Sequence, residues 1–334
     1  MSELNRRDFL QAAVGLAAGA GTMGLMDPDW VLAAQEESPA GIPRRPLGKT
    51  GEKVSIVGIG GWHIASIEER DSIALMHEAI DQGMTFFDNA WDYHDGNAET
   101  VMGKALGSGG WRDRVFLMTK NCARDYEGSK KHLEDSLRRL RTDRIDLWQF
   151  HEINYADDPD WIFERGALKA AVEAKKAGKV RYIGFTGHKD VDYLLKMLGK
   201  PFAWDSVQMP INILDAHYRS FQKKVLPECN RRQIGTIGMK SLACGVLPKE
   251  AGLDASLCRR YALSLPISTL VCGITSRENL KQDLAVARGF KPLTAAEVER
   301  LLADTQAAGK DGRYERFKTT RQYDGPYHRA QHGV

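Results

Sequence analysis

Short apolar segments alternate with longer segments of helical period along most of this chain, and this alternation restricts its fold more than any other feature. The eight apolar segments are residues 55–60, 84–88, 115–120, 145–151, 180–186, 205–209, 234–239 and 268–273. Examples of the helical patterns between them are 69–82, 129–141, 163–177, 219–232 and 276–287. Strands that are apolar along their whole length are typical of parallel sheets covered on both faces.

The number of strand–helix units favours a closed barrel over an open sheet. Eight units in 334 residues fit an α/β fold of the (β/α)8 TIM barrel type with additional terminal segments. Neither glycine-rich segment, 58–63 or 107–110, completes a dinucleotide or phosphate-loop motif, which argues against a Rossmann domain. A tight turn at 47–52 predicts an N-terminal β-hairpin. Ser129 and Gly178 are predicted to cap two of the helices.

The first 34 residues differ from the rest in composition. Arg6 and Arg7 precede a Phe-Leu pair, a run of small apolar residues spans 12–26, and residues 31–34 offer a cleavage site. The run is too short and too rich in Gly and Ala for a stable membrane anchor. This order resembles a twin-arginine (Tat) export signal, which would bind the Tat machinery and direct the protein to the periplasm. The alternative is a leader with a chance arginine pair.

The remaining chain divides into a polar linker at 35–43, the barrel at 44–290, and a C-terminal helix and tail at 291–334. Lys and Arg number 47 against 44 Asp and Glu, a balance that does not suit a nucleic-acid binder. The five cysteines include no C-x-x-C pair, so no zinc ribbon or ferredoxin module is expected. The sequence predicts no metal site.

Polar residues end the predicted strands, where TIM barrels carry their chemistry. These strand ends are Asp88, Lys120, His151, Thr186, Gln208 and Lys240. We expect Asp88 and Lys120 to form an ion pair, because a buried charge without a partner is costly. Tyr93 lies in the loop after Asp88, and a neighbouring lysine predicts that its pKa falls below about 10. Tyr93 could then donate a proton to a developing alkoxide, with His151 holding the carbonyl oxygen.

Three of these segments carry a resemblance to a known family. Residues 86–93 (FFDNAWDY), 119–120 (TK) and 146–151 (DLWQFH) resemble the Asp/Tyr/Lys/His tetrad of the aldo-keto reductases, and 45–51 resembles the hairpin that closes their barrel. The similarity covers about residues 44–290. It implies that Tyr93 is the general acid, that Lys120 lowers its pKa, that Asp88 orients Lys120, and that His151 polarises a substrate carbonyl. The implied substrate is an aldehyde, ketone or sugar, or the corresponding alcohol.

The resemblance also implies a nicotinamide dinucleotide across the barrel mouth. Gln208 matches a family glutamine, but Thr186-Gly187-His188 replaces the usual Ser-Asn, and Met239 replaces a tyrosine that often stacks on the nicotinamide. The position at which the family carries an arginine for the 2′-phosphate of NADP is occupied by Asn279 in this chain. NADP is favoured because Arg277 and Lys240 are cationic, and NAD stays open. The implied cofactor-binding residues are Gly61, Trp62, Thr186, His188, Gln208, Met239, Lys240, Leu242, Gly273, Ser276, Arg277, Asn279 and Asp283.

The tail from 310 to 334 is rich in Arg, Tyr and His. Because the family shapes its substrate pocket with the C-terminal segment, aromatic and basic tail residues could cover the barrel mouth; a tail without catalytic consequence is the alternative. The residues in question are Arg313, Tyr314, Phe317, Tyr323 and Tyr327. The other histidines have no motif spacing and are expected at the surface. They are His94, His132, His217, His328 and His332.

Two other functions stay open from the sequence. A sensory or regulatory protein would bind the dinucleotide and turn over slowly. A barrel enzyme of another class, such as a lyase or hydrolase, would use His151 and Lys120 without a dinucleotide. Substrate identity and oligomeric state do not follow from these patterns.

Overall fold

A β-hairpin and a closed eight-stranded parallel barrel form the framework of the computed structural model, which describes residues 35–36 and 40–334. The strands are β1 (Arg44–Pro46), β2 (Lys53–Ser55), β3 (Val57–Gly60), β4 (Phe86–Asp88), β5 (Phe116–Asn121), β6 (Ile145–Phe150), β7 (Val180–Thr186), β8 (Ser206–Pro210), β9 (Gly235–Met239) and β10 (Thr269–Cys272). β3 to β10 follow one another around the barrel, and β10 closes onto β3. The prediction of a (β/α)8 TIM barrel is confirmed. The predicted export signal at 1–34 and residues 37–39 of the predicted linker lie outside the described residues.

Helices follow the barrel strands and cover the outside of the barrel. They are α1 (Gly61–Ile64), α2 (Glu69–Asp81), α3 (Asn97–Leu106), α4 (Tyr126–Leu140), α5 (Asp158–Glu164), α6 (Ala167–Lys176), α7 (Val191–Gly199), α8 (Phe221–Arg231), α9 (Val246–Glu250), α10 (Ala255–Ser264), α11 (Arg277–Arg288), α12 (Ala295–Gly309), α13 (Arg316–Thr319) and α14 (Pro326–Gln331). Within the described residues, no helix is both long and apolar enough to span a bilayer.

Capping residues explain where one of these helices begins and where another ends. The start predicted at Ser129 was wrong, because Asp125 caps α4 by accepting a hydrogen bond from the Gly128 amide at 2.8 Å. The Ser129 hydroxyl donates to the Asp125 carbonyl oxygen instead, inside the first turn. Gly178 does follow α6, with a φ of +76° that favours glycine.

The predicted hairpin closes the N-terminal end of the barrel. β1 and β2 pair in antiparallel fashion, and Leu47 in their turn is fully buried. Leu47 belongs to a separate apolar cluster that includes Phe86, Phe116 and Ile237, which are residues of barrel strands. The hairpin therefore acts as a plug for the barrel interior.

The tail returns to the C-terminal ends of the strands. Lys318 on α13 is buried, and its ammonium donates to Asp215 at 2.7 Å and to Glu315 at 2.8 Å. Asp324 forms an ion pair with Lys189, in the loop after β7. α14 then places its side chains against the loop after β4, where the ring of Tyr327 contacts the ring of Trp91. The tail is thus an integral layer over the face that carries the strand ends.

Candidate active site

Side chains from three consecutive strands meet at the C-terminal end of the barrel. Asp88 ends β4, Lys120 lies near the end of β5, and His151 follows β6. Tyr93 begins a short 3-10 turn after β4. Lys120 Nζ lies 3.2 Å from the Tyr93 hydroxyl, and the rings of Tyr93 and His151 are 5.5 Å apart. The structure therefore brings together the four residues that the resemblance assigns to catalysis.

The ammonium of Lys120 is buried and surrounded by acceptors. It forms an ion pair with Asp88 and donates to the Asn89 carbonyl oxygen at 2.7 Å. The second Asp88 oxygen accepts a hydrogen bond from Gln208 Nε2 at 2.9 Å. Because both buried groups have partners, the cost of their burial is offset, and the contacts hold Lys120 in one position. The predicted ion pair is confirmed.

The Tyr93 hydroxyl corrects one prediction from the sequence. The presence of Lys120 in the sequence predicts a lowered pKa for Tyr93. In the structure, however, burial raises the pKa of Tyr93 well above 10, and the charges of Asp88 and Asp92 raise it further. The ammonium does not reverse this shift because Asp88 already balances its charge. Tyr93 is therefore a protonated donor at neutral pH.

His151 lies in a buried cluster of polar groups. Its Nδ1 is 3.0 Å from Asp92 Oδ1 and 3.5 Å from Cys122 Sγ. Burial lowers the pKa of His151, although the negative charge of Asp92 opposes the shift. The imidazole is therefore neutral at pH 7 and keeps one N–H that can hold a substrate oxygen.

Helix α14 adds His328 to this cluster. Its ring centre lies 5.3 Å from that of His151, and the side chain is fully buried. The predicted surface position was wrong for His328, and also for His132, which stacks on Trp91 at 3.6 Å. Motif spacing gave no signal because these contacts join distant parts of the chain: His328 lies beside Arg124, 204 residues away.

Arg124 fixes the backbone directly after His151. Its Nη2 donates to the carbonyl oxygens of His151 and Glu152 at 2.7 and 3.0 Å, while its Nε donates to Asp158 at 2.7 Å. Glu152 has a φ of +50°, a conformation that non-glycine residues adopt only when their surroundings enforce it. The Gly325 amide of the tail donates to the Glu152 carboxyl at 2.8 Å. No sequence motif marks either Arg124 or Glu152.

Two of the predicted cofactor-binding residues follow the first barrel strand. A side chain at Gly61 would lie 2.7 Å from the Asp88 carbonyl oxygen, so only glycine fits beside the end of β4. Trp62 is 49% exposed, its ring edge-on to Tyr93 at 5.4 Å and stacked on His94 at 4.3 Å. Gly273, after β10, leaves room for the ring of His63. These residues form the wall of the mouth next to Tyr93.

Thr186 is buried at the end of β7 and Gln208 is buried within β8, whereas His188 belongs to the contacts that hold the tail. Its Nε2 lies 3.2 Å from Asn154 Nδ2 and 3.6 Å from Asp324. Burial lowers the pKa of His188 to about 4, so the ring is neutral. His188 therefore takes part in docking the tail in this structure.

Met239 ends β9, and Lys240 and Leu242 lie in the loop that follows. Lys240 has a φ of +57°. Its ammonium lies 5.5 Å from the ring centre of Phe317 and 5.8 Å from that of Tyr323, both in the tail. The loop after β9, which carries residues that the resemblance assigns to cofactor binding, is thus in direct contact with the tail.

The segment before α11 has the features of an anion site. Ser276 caps the helix by accepting a hydrogen bond from the Asn279 amide, and the Asn279 side chain accepts from the Thr275 amide at 3.3 Å. Arg277 is exposed and contacts Glu78 at 3.1 Å. Its guanidinium is therefore free to turn toward a phosphate, while Asn279 is occupied within the loop.

Asp283 has a partner that the sequence did not predict. Arg259 on α10 forms an ion pair with it, and both side chains are buried. Burial raises the pKa of Asp283 to about 6, although the charge of Arg259 opposes the shift. Arg259 thus occupies the carboxylate of Asp283, a residue that the resemblance assigns to cofactor binding.

Comparison with known proteins identifies relatives of this chain. The model of the aldo/keto reductase family matches residues 56–265. Aldo-keto reductase YhdN from Bacillus subtilis is 32% identical over 217 residues, which cover 60% of this chain and 62% of YhdN. L-galactose dehydrogenase from Arabidopsis thaliana is 28% identical over 312 residues, 78% of this chain and 94% of that protein. The match to YhdN thus spans less than two thirds of its length.

Solved structures share the barrel. The holo form of aldo-keto reductase AKR11C1 from Bacillus halodurans superposes with a TM-score of 0.68 at 24% identity, over 82% of this chain and 99% of that one. A thermostable aldo-keto reductase, Tm1743, gives a TM-score of 0.64 at 23% identity, over 78% and 99% of the two chains. At these identities the similarity supports the fold.

Proposed function

Since this chain belongs to the aldo/keto reductase family, we propose that it is an oxidoreductase that interconverts a carbonyl and an alcohol with a nicotinamide cofactor. The observation that carries the proposal is the contact of the Tyr93 hydroxyl with Lys120, which Asp88 holds in place. The substrate class is an aldehyde, ketone or sugar, or the matching alcohol. L-galactose dehydrogenase, a relative by sequence, has a sugar in its name.

The residues at the barrel mouth fit a nicotinamide dinucleotide. Gln208 Oε1 is buried and has no hydrogen-bond partner among the described residues, while Nε2 of the same side chain is bound to Asp88. A buried acceptor without a partner is costly, and the carboxamide of a nicotinamide carries N–H groups that would satisfy it. The amides at the start of α11 and the guanidinium of Arg277 would hold phosphate groups. We favour NADP because Arg277 offers a cation for the 2′-phosphate, which NAD lacks.

The cofactor, when bound, supplies or accepts the hydride. Tyr93 donates its hydroxyl proton to the oxygen of the reacting carbonyl. Lys120, 3.2 Å away, stabilises the resulting phenolate, and Asp88 keeps the ammonium in position. His151, as a neutral imidazole, donates an N–H to the same oxygen and orients the carbonyl.

The protonated state of Tyr93 favours the reductive direction at neutral pH. Reduction needs a proton donor, and the raised pKa keeps this proton on the phenol. Oxidation of an alcohol needs the phenolate, which becomes more populated as the pH rises. We therefore expect the ratio of oxidation to reduction rates to increase with pH.

Replacement of Tyr93 by phenylalanine tests the proposed acid. We expect Tyr93→Phe to lower turnover by about 10²- to 10⁴-fold, the contribution typical of a positioned general acid. Dinucleotide affinity, measured by the quenching of tryptophan fluorescence, is expected to stay within severalfold of the wild type. Tyr182→Phe is a matched control, since its hydroxyl binds Thr50 and Glu52 at the opposite end of the barrel.

Each outcome of this test has a different meaning. Retained turnover in Tyr93→Phe would refute the assigned acid. Tight dinucleotide binding with very slow turnover in the wild type would favour the regulatory alternative. A complete lack of dinucleotide binding would favour a barrel enzyme of another class.

We further propose that the protein is exported by the Tat route to the periplasm. This proposal is supported by the order of three features in the sequence: the pair Arg6 and Arg7, the apolar run at 12–26, and the small residues at 31–34. Because the Tat route carries folded proteins and the periplasm is not expected to supply free dinucleotide, the cofactor would be loaded before export and held tightly. Rapid loss of the dinucleotide on dialysis would contradict this loading step.

A further inference from the structure

Four side chains with metal-ligating atoms meet between the strand ends and the tail. They are Asp92, Cys122, His151 and His328, and one ligand atom from each lies within 4.8 Å of all the others. They come from four separate places: the loop after β4, the segment after β5, the residue after β6, and α14. Cys122, His151 and His328 are buried and Asp92 is partly buried.

We propose that these four residues form a binding site for a divalent metal ion of the zinc type. Zinc binds protein N, O and S atoms at about 2.0 to 2.3 Å in a tetrahedron, which places its ligand atoms about 3.3 to 3.7 Å apart. Nδ1 of His151 is 3.0 Å from Asp92 Oδ1 and 3.5 Å from Cys122 Sγ, so two of the distances between ligand atoms are near this spacing, and all of them are within 4.8 Å. The composition of the set, two imidazoles, a thiol and a carboxylate, is also suited to zinc.

Two atoms of this cluster lack the partners that buried polar atoms normally have. Asp92 Oδ1 and His328 Nε2 are buried, and neither makes a well-directed hydrogen bond among the described residues. A cation shared by the cluster would satisfy both atoms.

The charges around the cluster are compatible with a cation. The thiolate of Cys122 and the carboxylate of Asp92 would balance a divalent ion. Arg124 is a positive group beside the cluster; its Nη2 lies 3.4 Å from His328 Nδ1, and its charge is balanced by Asp158.

The ion would connect the tail to the catalytic face. His328 is the only one of the four ligands that comes from the tail, so the metal would anchor α14 over the strand ends. Coordination through Nδ1 of His151 leaves Nε2 for the substrate oxygen, and the two roles of this residue are therefore compatible. The site is a proposal beyond the redox function, since metal binding requires neither dinucleotide nor substrate.

Metal content and cobalt spectra test the site directly. Full-length protein without a histidine tag, purified from cells grown with added Zn²⁺, is expected to contain one zinc per chain by mass spectrometry. After exchange with Co²⁺, we expect a thiolate-to-cobalt charge-transfer band. Cys122→Ser should abolish this band, and His328→Ala should weaken Co²⁺ binding by at least about tenfold. Cys258→Ser and His217→Ala are matched controls, since both residues lie outside the cluster.

A second measurement covers the case in which a variant does not fold. X-ray absorption of the zinc-loaded wild type is expected to show one sulfur ligand and the remainder nitrogen or oxygen. The proposal is overturned if the protein holds much less than one metal per chain, or if zinc has no sulfur ligand. It is also overturned if Cys122→Ser and His328→Ala, both folded, bind Co²⁺ like the wild type. Dinucleotide binding, measured separately, distinguishes failure of this site from failure of the proposed redox function.

Discussion

Burial determines the roles of the charged residues at the barrel mouth. Lys120 is 1% exposed and depends on Asp88 for its charge balance, so its position is fixed. The side chain of Arg277 is 67% exposed and contacts only Glu78 as an ion pair, so it can reorient at little cost. A fixed ammonium suits proton transfer, whereas a free guanidinium suits recognition of a phosphate.

Arg277 tests the preference for NADP at the scale of one residue. We expect Arg277→Ala to weaken NADPH binding by about tenfold or more, because a charge-assisted hydrogen bond to the 2′-phosphate contributes about 1.5 to 3 kcal/mol. NADH binding should change little. Fluorescence titration with both dinucleotides measures the two affinities, and Lys281→Ala on the same helix is the control. Equal losses for both dinucleotides would contradict the assignment.

The hairpin shows how one element depends on a few backbone positions. Its turn enters the end of the barrel so closely that a Cβ at Gly48 would lie 2.3 Å from the Gly235 amide nitrogen. Gly51, in the same turn, has nothing within 4 Å of such a Cβ. Both glycines have positive φ, +54° and +85°. Substitutions at these two positions therefore distinguish the effect of contact with the barrel from the effect of backbone conformation.

Alanine at these two glycines should give different losses of stability. Gly51→Ala is expected to lower the free energy of unfolding by about 1 kcal/mol, through its left-handed conformation alone. Gly48→Ala should cost about 2 to 4 kcal/mol, because overpacking against the backbone of β9 adds to the same strain. Urea unfolding measures both values. Similar losses for the two variants would show that the turn is not held tightly against the barrel.

The tail depends on a buried group of charges around Lys318. Burial raises the pKa of Glu315 to about 7, while the charge of Lys318 lowers it and that of Asp215 raises it. In the unfolded chain the ordinary pKa is 4.5. At pH values between 4.5 and about 7, the folded protein therefore keeps a proton on Glu315 that the unfolded chain has already released. The contribution of this proton to the free energy of unfolding decreases as the pH rises through about 7.

Removal of this carboxyl tests the pH dependence of tail docking. Glu315→Gln cannot ionise and can still accept the hydrogen bond from Asn212 that Glu315 accepts at 2.9 Å. We expect its stability relative to the wild type to increase from about pH 5 to about pH 8. Glu250→Gln, which alters an exposed pair with Arg316, is the control and should show no such trend. A difference in stability between Glu315→Gln and the wild type that does not change with pH would contradict the assignment of this proton to Glu315.

At the scale of the whole molecule, the barrel could be predicted from the sequence because its signals are local. Each strand is a nearly continuous apolar segment, and the strand at 180–186 was predicted to the residue. The meeting of Asp88 with Lys120 also followed from topology, since neighbouring parallel strands end on the same face. Local patterns and one topological rule were sufficient for these features.

The tail contacts and the pKa of Tyr93 could not be predicted in this way. His328, Lys318 and Asp324 find their partners more than 100 residues away, and no periodicity encodes such contacts. The pKa of Tyr93 depends on the sum of burial and several charges, including those of Asp88 and Asp92, whereas the prediction from the sequence rested on Lys120 alone. Features that depend on packing across the whole chain require the structure.

Transfer of deuterium from a reduced dinucleotide tests the central proposal most directly. The purified protein would be incubated with NADPH or NADH deuterated at C4 and with a panel of aldehydes, ketones and sugars. The proposed function predicts an alcohol product that carries one deuterium on the former carbonyl carbon, and no such product with Tyr93→Phe. Failure of the wild-type protein to transfer deuterium to any carbonyl, although it binds the dinucleotide, would contradict carbonyl reduction as its function.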